Sequence, residues 1–133
     1  MTYRDLRIKR VYEPPDAADG TRILVDRLWP RGLSRERVKI DLWLNEIAPS
    51  DDLRRRLHRN PSAWGKFKTA YYDELEQATA QSALHALLDR LTHGPVTLLY
   101  AARDETRNNA AALKEWLEDR VAEASVGHLD RSS

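Results

Sequence analysis

Ile23-Leu24-Val25 and Pro95-Val96-Thr97-Leu98-Leu99-Tyr100-Ala101-Ala102 are short apolar runs, and the stretch between them is patterned for helix. Continuous apolar runs of this length read as strands covered on both faces. Two such strands can lie parallel only if a long crossover joins them, and residues 34–93 supply one. Leu6-Arg7-Ile8-Lys9-Arg10-Val11 alternates apolar with basic residues, as a half-buried strand does. The expected fold is therefore α/β: a small, mostly parallel sheet flanked by helices in a single domain.

The punctuation fits that order. Glu13–Gly20, with two prolines and a glycine, is expected to be an irregular connection. Val38, Leu42 and Trp43 share a helical face that ends before Pro49. Ser50 can cap the next helix, with Asp51 and Asp52 in its first turn and Arg54, Arg55 and Arg56 later, an order that complements the helix dipole. Asn60-Pro61 is a further cap and first-turn proline. Trp64, Phe67, Tyr71 and Leu75 then recur at helical spacing, as do Leu84, Leu87, Leu88 and Leu91 before the stop at Gly94-Pro95. Asp104 or Thr106 can cap a final helix whose stripe is Leu113, Trp116, Leu117, Val121 and Ala124. Residues 1–124 are expected to form the domain and residues 125–133 a flexible tail.

Composition removes whole classes of function. The 133 residues contain no cysteine, which excludes a disulfide framework, a thiolate nucleophile and a zinc–thiolate site. No apolar run is long enough to span a bilayer and the first residues are charged, so a cytoplasmic protein with no membrane partner is expected. The net charge of +1 splits into +4 over residues 1–60 and −3 over the remainder, a mild tilt beside the concentrated basic faces of duplex-DNA binders. His58, His85, His93 and His128 lack metal-ligand spacing, and no metal is expected. No GxGxxG, Walker A or GxSxG signature occurs, and no cofactor is expected.

In an open parallel sheet ligands bind beyond the carboxyl ends of the strands. Two polar clusters follow the apolar runs: Asp26-Arg27-Leu28-Trp29-Pro30-Arg31-Gly32 and Arg103-Asp104-Glu105-Thr106-Arg107-Asn108-Asn109. If the strands are parallel neighbours, both clusters share one rim. Arg27, Arg31 and Arg107 carry forked donors that match a carboxylate or phosphate. Trp29 offers a flat face for stacking, and Gly32 permits a positive φ or close approach of a ligand. Asp26 or Asp104 can serve as general base or simply hold the arginines. The leading expectation is an anionic small molecule bound at this rim, with enzyme status open. The alternatives are nucleic-acid binding by residues 4–10, 22–37 and 54–59, and an interaction module whose rim residues are architectural.

The wording of two segments is recognisable. DGTRILVDRLWPRGLSRERVKIDLWLNEIAPS, followed after a helical region by GPVTLLYAARDETRNNA, resembles the YeaO-like family, domain of unknown function 488, over about residues 8–118. The resemblance implies a fold and a site more than an activity. It points to Asp26, Arg27, Trp29, Pro30, Arg31, Gly32, Lys39, Asp41, Trp43, Tyr100, Asp104 and Asn108. Asn45 stands where relatives commonly have lysine, and Arg107 and Asn109 stand where they often have histidines. A mechanism that uses a histidine at that rim is therefore not expected for this chain.

Overall fold

Five consecutive residues, Val96–Tyr100, are buried, so this strand must be covered on both faces and both edges. The computed structural model describes residues 5–132, with side chains from Asp5 to Arg120. Its strands are β1 (Leu6–Arg10), β2 (Thr21–Leu24), β3 (Leu42–Trp43) and β4 (Val96–Tyr100), in the order β1-β4-β2-β3. All neighbours are parallel. Leu6 pairs with Val96 and Arg10 with Tyr100, while Thr21 pairs with Val96 and Leu24 with Leu99.

The helices are α1 (Arg35–Val38), α2 (Asp51–Arg59), α3 (Trp64–Leu75), α4 (Ala78–His93) and α5 (Asn109–Ser132). Register fixes the two faces of the sheet, because successive side chains alternate. Ile8, Ile23, Leu98 and Tyr100 belong to the larger core, which α2 to α5 complete with Leu53, Phe67, Tyr71, Leu84, Leu87 and Leu113. Leu24 and Leu99 belong to a second, smaller cluster with Val11 and Val38, covered by Trp29, Leu33, Ile40 and Trp43. Among the described residues one face thus carries four helices, and the other is covered by loops and short helical turns.

The smaller face also buries a charged group. Asp19 is 5% and Arg22 4% exposed. Arg22 reaches Asp19 at 2.6 Å through Nη1, and donates through Nε and Nη2 to the Val38 carbonyl and through Nε to that of Lys39. Lys9 adds a second cation at 3.1 Å, and the Thr97 hydroxyl donates to the Asp19 carbonyl. Burial raises the Asp19 pKa most strongly of any single influence. The Asp16 N–H, Lys9 and Arg22 together outweigh it and hold the carboxyl below its ordinary value.

Four local expectations need correction. Glu13–Gly20 is not wholly irregular: Ala17–Asp19 form a 3-10 turn, with Asp16 and Asp19 capping each other reciprocally. Val38, Leu42 and Trp43 do not share a helix. The helix stops at Val38, Lys39 takes a left-handed φ of 51°, and Leu42–Trp43 is an edge strand pairing with Ile23 and Leu24. The last helix is capped by neither Asp104 nor Thr106; Asn108 accepts the Ala111 N–H at 2.8 Å. Asn60 makes no side-chain cap bond and instead accepts the Ser62 hydroxyl; elsewhere the signals hold. Ser50 accepts the Leu53 N–H, Pro61 opens a 3-10 turn, and Phe67, Tyr71 and Leu75 are buried on one face of α3. The helical backbone of α5 runs on through the segment expected as a tail, and Val121 and Ala124 lie outside the described side chains.

Candidate functional site

After β2 the chain turns outward to β3, whereas after β4 it enters α5, which packs on β1 and β4. The crevice between the carboxyl ends of β2 and β4 is therefore the topological switch point, where sheets of this class receive ligands. Asp26 stands in it. Its Oδ2 accepts the Ala101 N–H at 2.9 Å and its Oδ1 accepts Asn109 Nδ2 at 3.0 Å. The same Asn109 amide donates to the Val25 carbonyl at 2.8 Å, and Trp43 Nε1 donates to the Asp26 carbonyl at 2.8 Å. Burial pushes the Asp26 carboxyl above the ordinary carboxylate range, against the bonds from Asn109 and Ala101. The crevice is thus bridged by the protein's own groups, with Asp26 linking β2, β4 and α5.

Asp104 is engaged differently. It is exposed, and its Oδ1 accepts the N–H groups of Thr106 and Arg107, both at 2.9 Å, and the Thr106 hydroxyl at 3.0 Å. The N–H of Arg107, followed by that of Thr106, holds its carboxyl below the usual range. Asn108 is 1% exposed and donates to the Asp104 carbonyl at 3.0 Å. Internal donors therefore occupy both oxygens of Asp26 but only Oδ1 of Asp104.

The arginines fan outward from the rim. Arg27 donates through Nε to Pro49 and through Nη2 to Ala48, at 3.3 and 3.2 Å, leaving Nη1 uncommitted. Arg107 donates to the Pro61 carbonyl at 3.2 Å. Arg31 is exposed, and its own carbonyl accepts the Tyr12 hydroxyl at 3.2 Å. Among the described residues, none of the three has a carboxylate within ion-pair distance. Arg27, Arg31 and Arg107 thus follow strands that end on the same side of the sheet, and the guanidiniums of Arg27 and Arg107 turn to carbonyls of different segments.

Trp29 is half-buried. Its Nε1 donates to the Leu33 carbonyl at 2.8 Å, its ring meets Trp43 edge-on at 5.5 Å, and the Arg35 guanidinium lies 5.3 Å from its centroid. Gly32 has a φ of 76°, the backbone conformation that its lack of Cβ permits. Tyr100 is 2% exposed, and burial, with Glu105 and Glu13 adding to it, pushes its hydroxyl pKa up. Asp41 accepts the Arg22 N–H at 2.8 Å, fixing the start of β3.

A cavity of about 200 Å³ opens at the same rim, on the helical side. Arg27, Glu46, Ala48 and Ser50 line it from the ends of β2 and β3, and Tyr71, Glu74, Gln77 and Thr79 from α3 and the start of α4. Tyr71 donates to the Ile47 carbonyl at 2.6 Å, and burial drives its pKa far upward. Glu74 Oε1 accepts the Ser50 N–H at 2.8 Å. A more open depression of about 450 Å³ lies at the opposite, amino end of the strands, beside Gly20, Asp89 and His93. Among the described residues no group of three or more His, Asp or Glu is arranged to hold a metal. The sequence pattern did not single out Glu46, Glu74 or the bridging role of Asn109. Each depends on contacts between elements far apart in the chain.

Residues 5–133 match the model of a family described as "Inactive DUF488-N3 subclade". The chain is similar to "Uncharacterized protein YeaO" of Escherichia coli (strain K12), 41% identical over 113 residues, covering 85% of this chain and 96% of that protein. It belongs to the YeaO-like DUF488 family. "Uncharacterized protein Mb3100c" of Mycobacterium bovis is 37% identical over 115 residues, 86% of this chain and 95% of that relative. The same figures hold for "Uncharacterized protein Rv3073c" of Mycobacterium tuberculosis. No solved structure matches. Among the described residues, no helix of this YeaO-like chain is long and apolar enough to cross a membrane.

Proposed function

We propose that this YeaO-like protein is a non-catalytic binding module for a small anionic molecule, seated at the carboxyl rim in the cavity beside Arg27. The observation that carries the reading is the Arg27 guanidinium. It lies in the wall of that cavity, is oriented by two carbonyls, has Nη1 uncommitted and lacks a carboxylate partner among the described residues. Such a group is pre-organised for a charge-assisted hydrogen bond. Arg31 and Arg107, at the same end of the sheet, add attraction at longer range.

Occupation of both Asp26 oxygens by internal donors supports binding over catalysis at that residue, because a general base needs a free lone pair facing its substrate. The family description, with its word "Inactive", agrees. A polyanion such as nucleic acid has less support. Arg54 and Arg56, which that reading needs as free cations, pair with Asp51 and Asp52 at 3.6 and 2.8 Å.

Thermal-shift screening against small phosphates and carboxylates, followed by titration calorimetry, tests the proposal. A ligand at 100 times its Kd stabilises the folded state by about 2.7 kcal/mol. Its affinity should fall about tenfold or more in Arg27→Gln, as expected for one charged hydrogen bond. If no anion stabilises the protein, or if affinity survives that substitution, the proposal fails.

A further inference from the structure

Arg27, Glu46 and Glu74 line one cavity of about 200 Å³, yet none of them forms an ion pair with another or with any described residue. Opposite charges bordering so small a space attract one another, and flexible side chains normally close the gap. Here two of them are held. Arg27 is tied back to the carbonyls of Ala48 and Pro49, and Glu74 Oε1 to the Ser50 N–H. Arg27 Nη1 and Glu74 Oε2 are left without a recorded partner, and Glu46 is exposed with none recorded for its carboxylate.

We infer that the cavity takes a small zwitterion of the α-amino-acid type, its carboxylate on Arg27 and its ammonium on Glu46 and Glu74. This rests on the anion-binding reading above and specifies the ligand further. Gln77 and Thr79 bring the start of α4 to the wall, and no side chain caps that helix, so the positive end of its dipole adds attraction for a carboxylate. Tyr71 is not available as a donor, because its hydroxyl proton is committed to the Ile47 carbonyl. It contributes a ring that, with Ile47 and Leu75, makes the apolar part of the wall. A doubly charged anion would place its second charge against the two glutamates, whereas an ammonium there is attracted by both.

Three isosteric probes separate the possibilities: alanine, propionate and ethylamine, titrated near pH 7 with backbone amide chemical shifts as the readout. Alanine should bind at least about tenfold more tightly than either partial analogue, the scale of one charged hydrogen bond. Glu46→Gln and Glu74→Gln should each reduce that preference while leaving propionate binding equal or stronger. Arg27→Gln should weaken both alanine and propionate. Glu46 is exposed, so its variant is not compromised by misfolding. Equal binding of alanine and propionate, or a preference that survives both glutamine variants, would overturn the zwitterion inference and leave the anion reading standing. Binding of ethylamine alone, or of no probe with no anion found in the wider screen, would overturn both.

Discussion

Removing the Asn109 amide tests whether Asp26 is a structural bridge. In Asn109→Ala the helix keeps a good helix-forming residue at its first position, so the loss comes from the two bonds of Nδ2. One goes to the Asp26 carboxylate at 3.0 Å, worth about 1.5–3 kcal/mol, and one to the Val25 carbonyl at 2.8 Å, worth about 0.5–1.5 kcal/mol. Together they set an expected destabilisation of about 2–4.5 kcal/mol, read by urea unfolding with an unchanged m value. The effect must also depend on pH. The folded-state pKa of Asp26 is raised, chiefly by burial, and the Asn109 bond opposes that rise. A carboxyl with a raised folded pKa contributes stability that is complete below the unfolded value and is lost as pH climbs through the folded one. Without Asn109 the folded pKa moves further up, so more stability is lost over the same climb. The variant's deficit should therefore be larger at pH 7 than at pH 4. A deficit below about 0.5 kcal/mol, the level of an ordinary surface substitution, or one constant across that range would refute the bridge.

Two further outcomes are expected. Gly20 and Gly32 have similar φ angles of 65° and 76°, but a Cβ on Gly20 would run into the Pro95 carbonyl while one on Gly32 meets open space. Gly32→Ala should cost about 1–2 kcal/mol from the left-handed backbone alone and Gly20→Ala clearly more; equal melting temperatures for the two variants would contradict the packing of Gly20 against β4. Arg22→Met should destabilise by about 3–5 kcal/mol, because it leaves the buried Asp19 with Lys9 as its remaining cation and two carbonyls without their donor. A loss under about 1 kcal/mol by chemical denaturation would show that the charged group on the smaller face contributes little.

The parallel pairing of β2 with β4 was legible because each strand is a dense apolar run and the crossover between them is long. The shared rim follows from that pairing, since both strands then end on the same side. β3 was not legible. Two residues carry no period, and the spacing of Val38 and Leu42 mimics a helix face. The left-handed turn at Lys39 that separates them is taken by a residue without the usual preference for that conformation. The cap of α5 was misplaced because Asp104, Thr106 and Asn108 are all competent acceptors. The first serves a turn and the last the helix. No local pattern marks Asp19 and Arg22 for burial, which depends on Lys9, Thr97 and Val38 in three other parts of the sheet and its cover. Likewise, nothing local distinguishes Glu46 and Glu74 from solvated glutamates. Only the meeting of β3's end with α3 and α4 puts them around one space.

The strand order β1-β4-β2-β3 has a consequence for biosynthesis. The strands β1 and β2 are synthesised before β4 and do not lie edge to edge; each waits for that later partner. Until residues 96–100 emerge, their hydrogen-bonding edges and apolar faces remain without the strand that joins them, and a product terminated before that point would keep two sticky margins open to other chains.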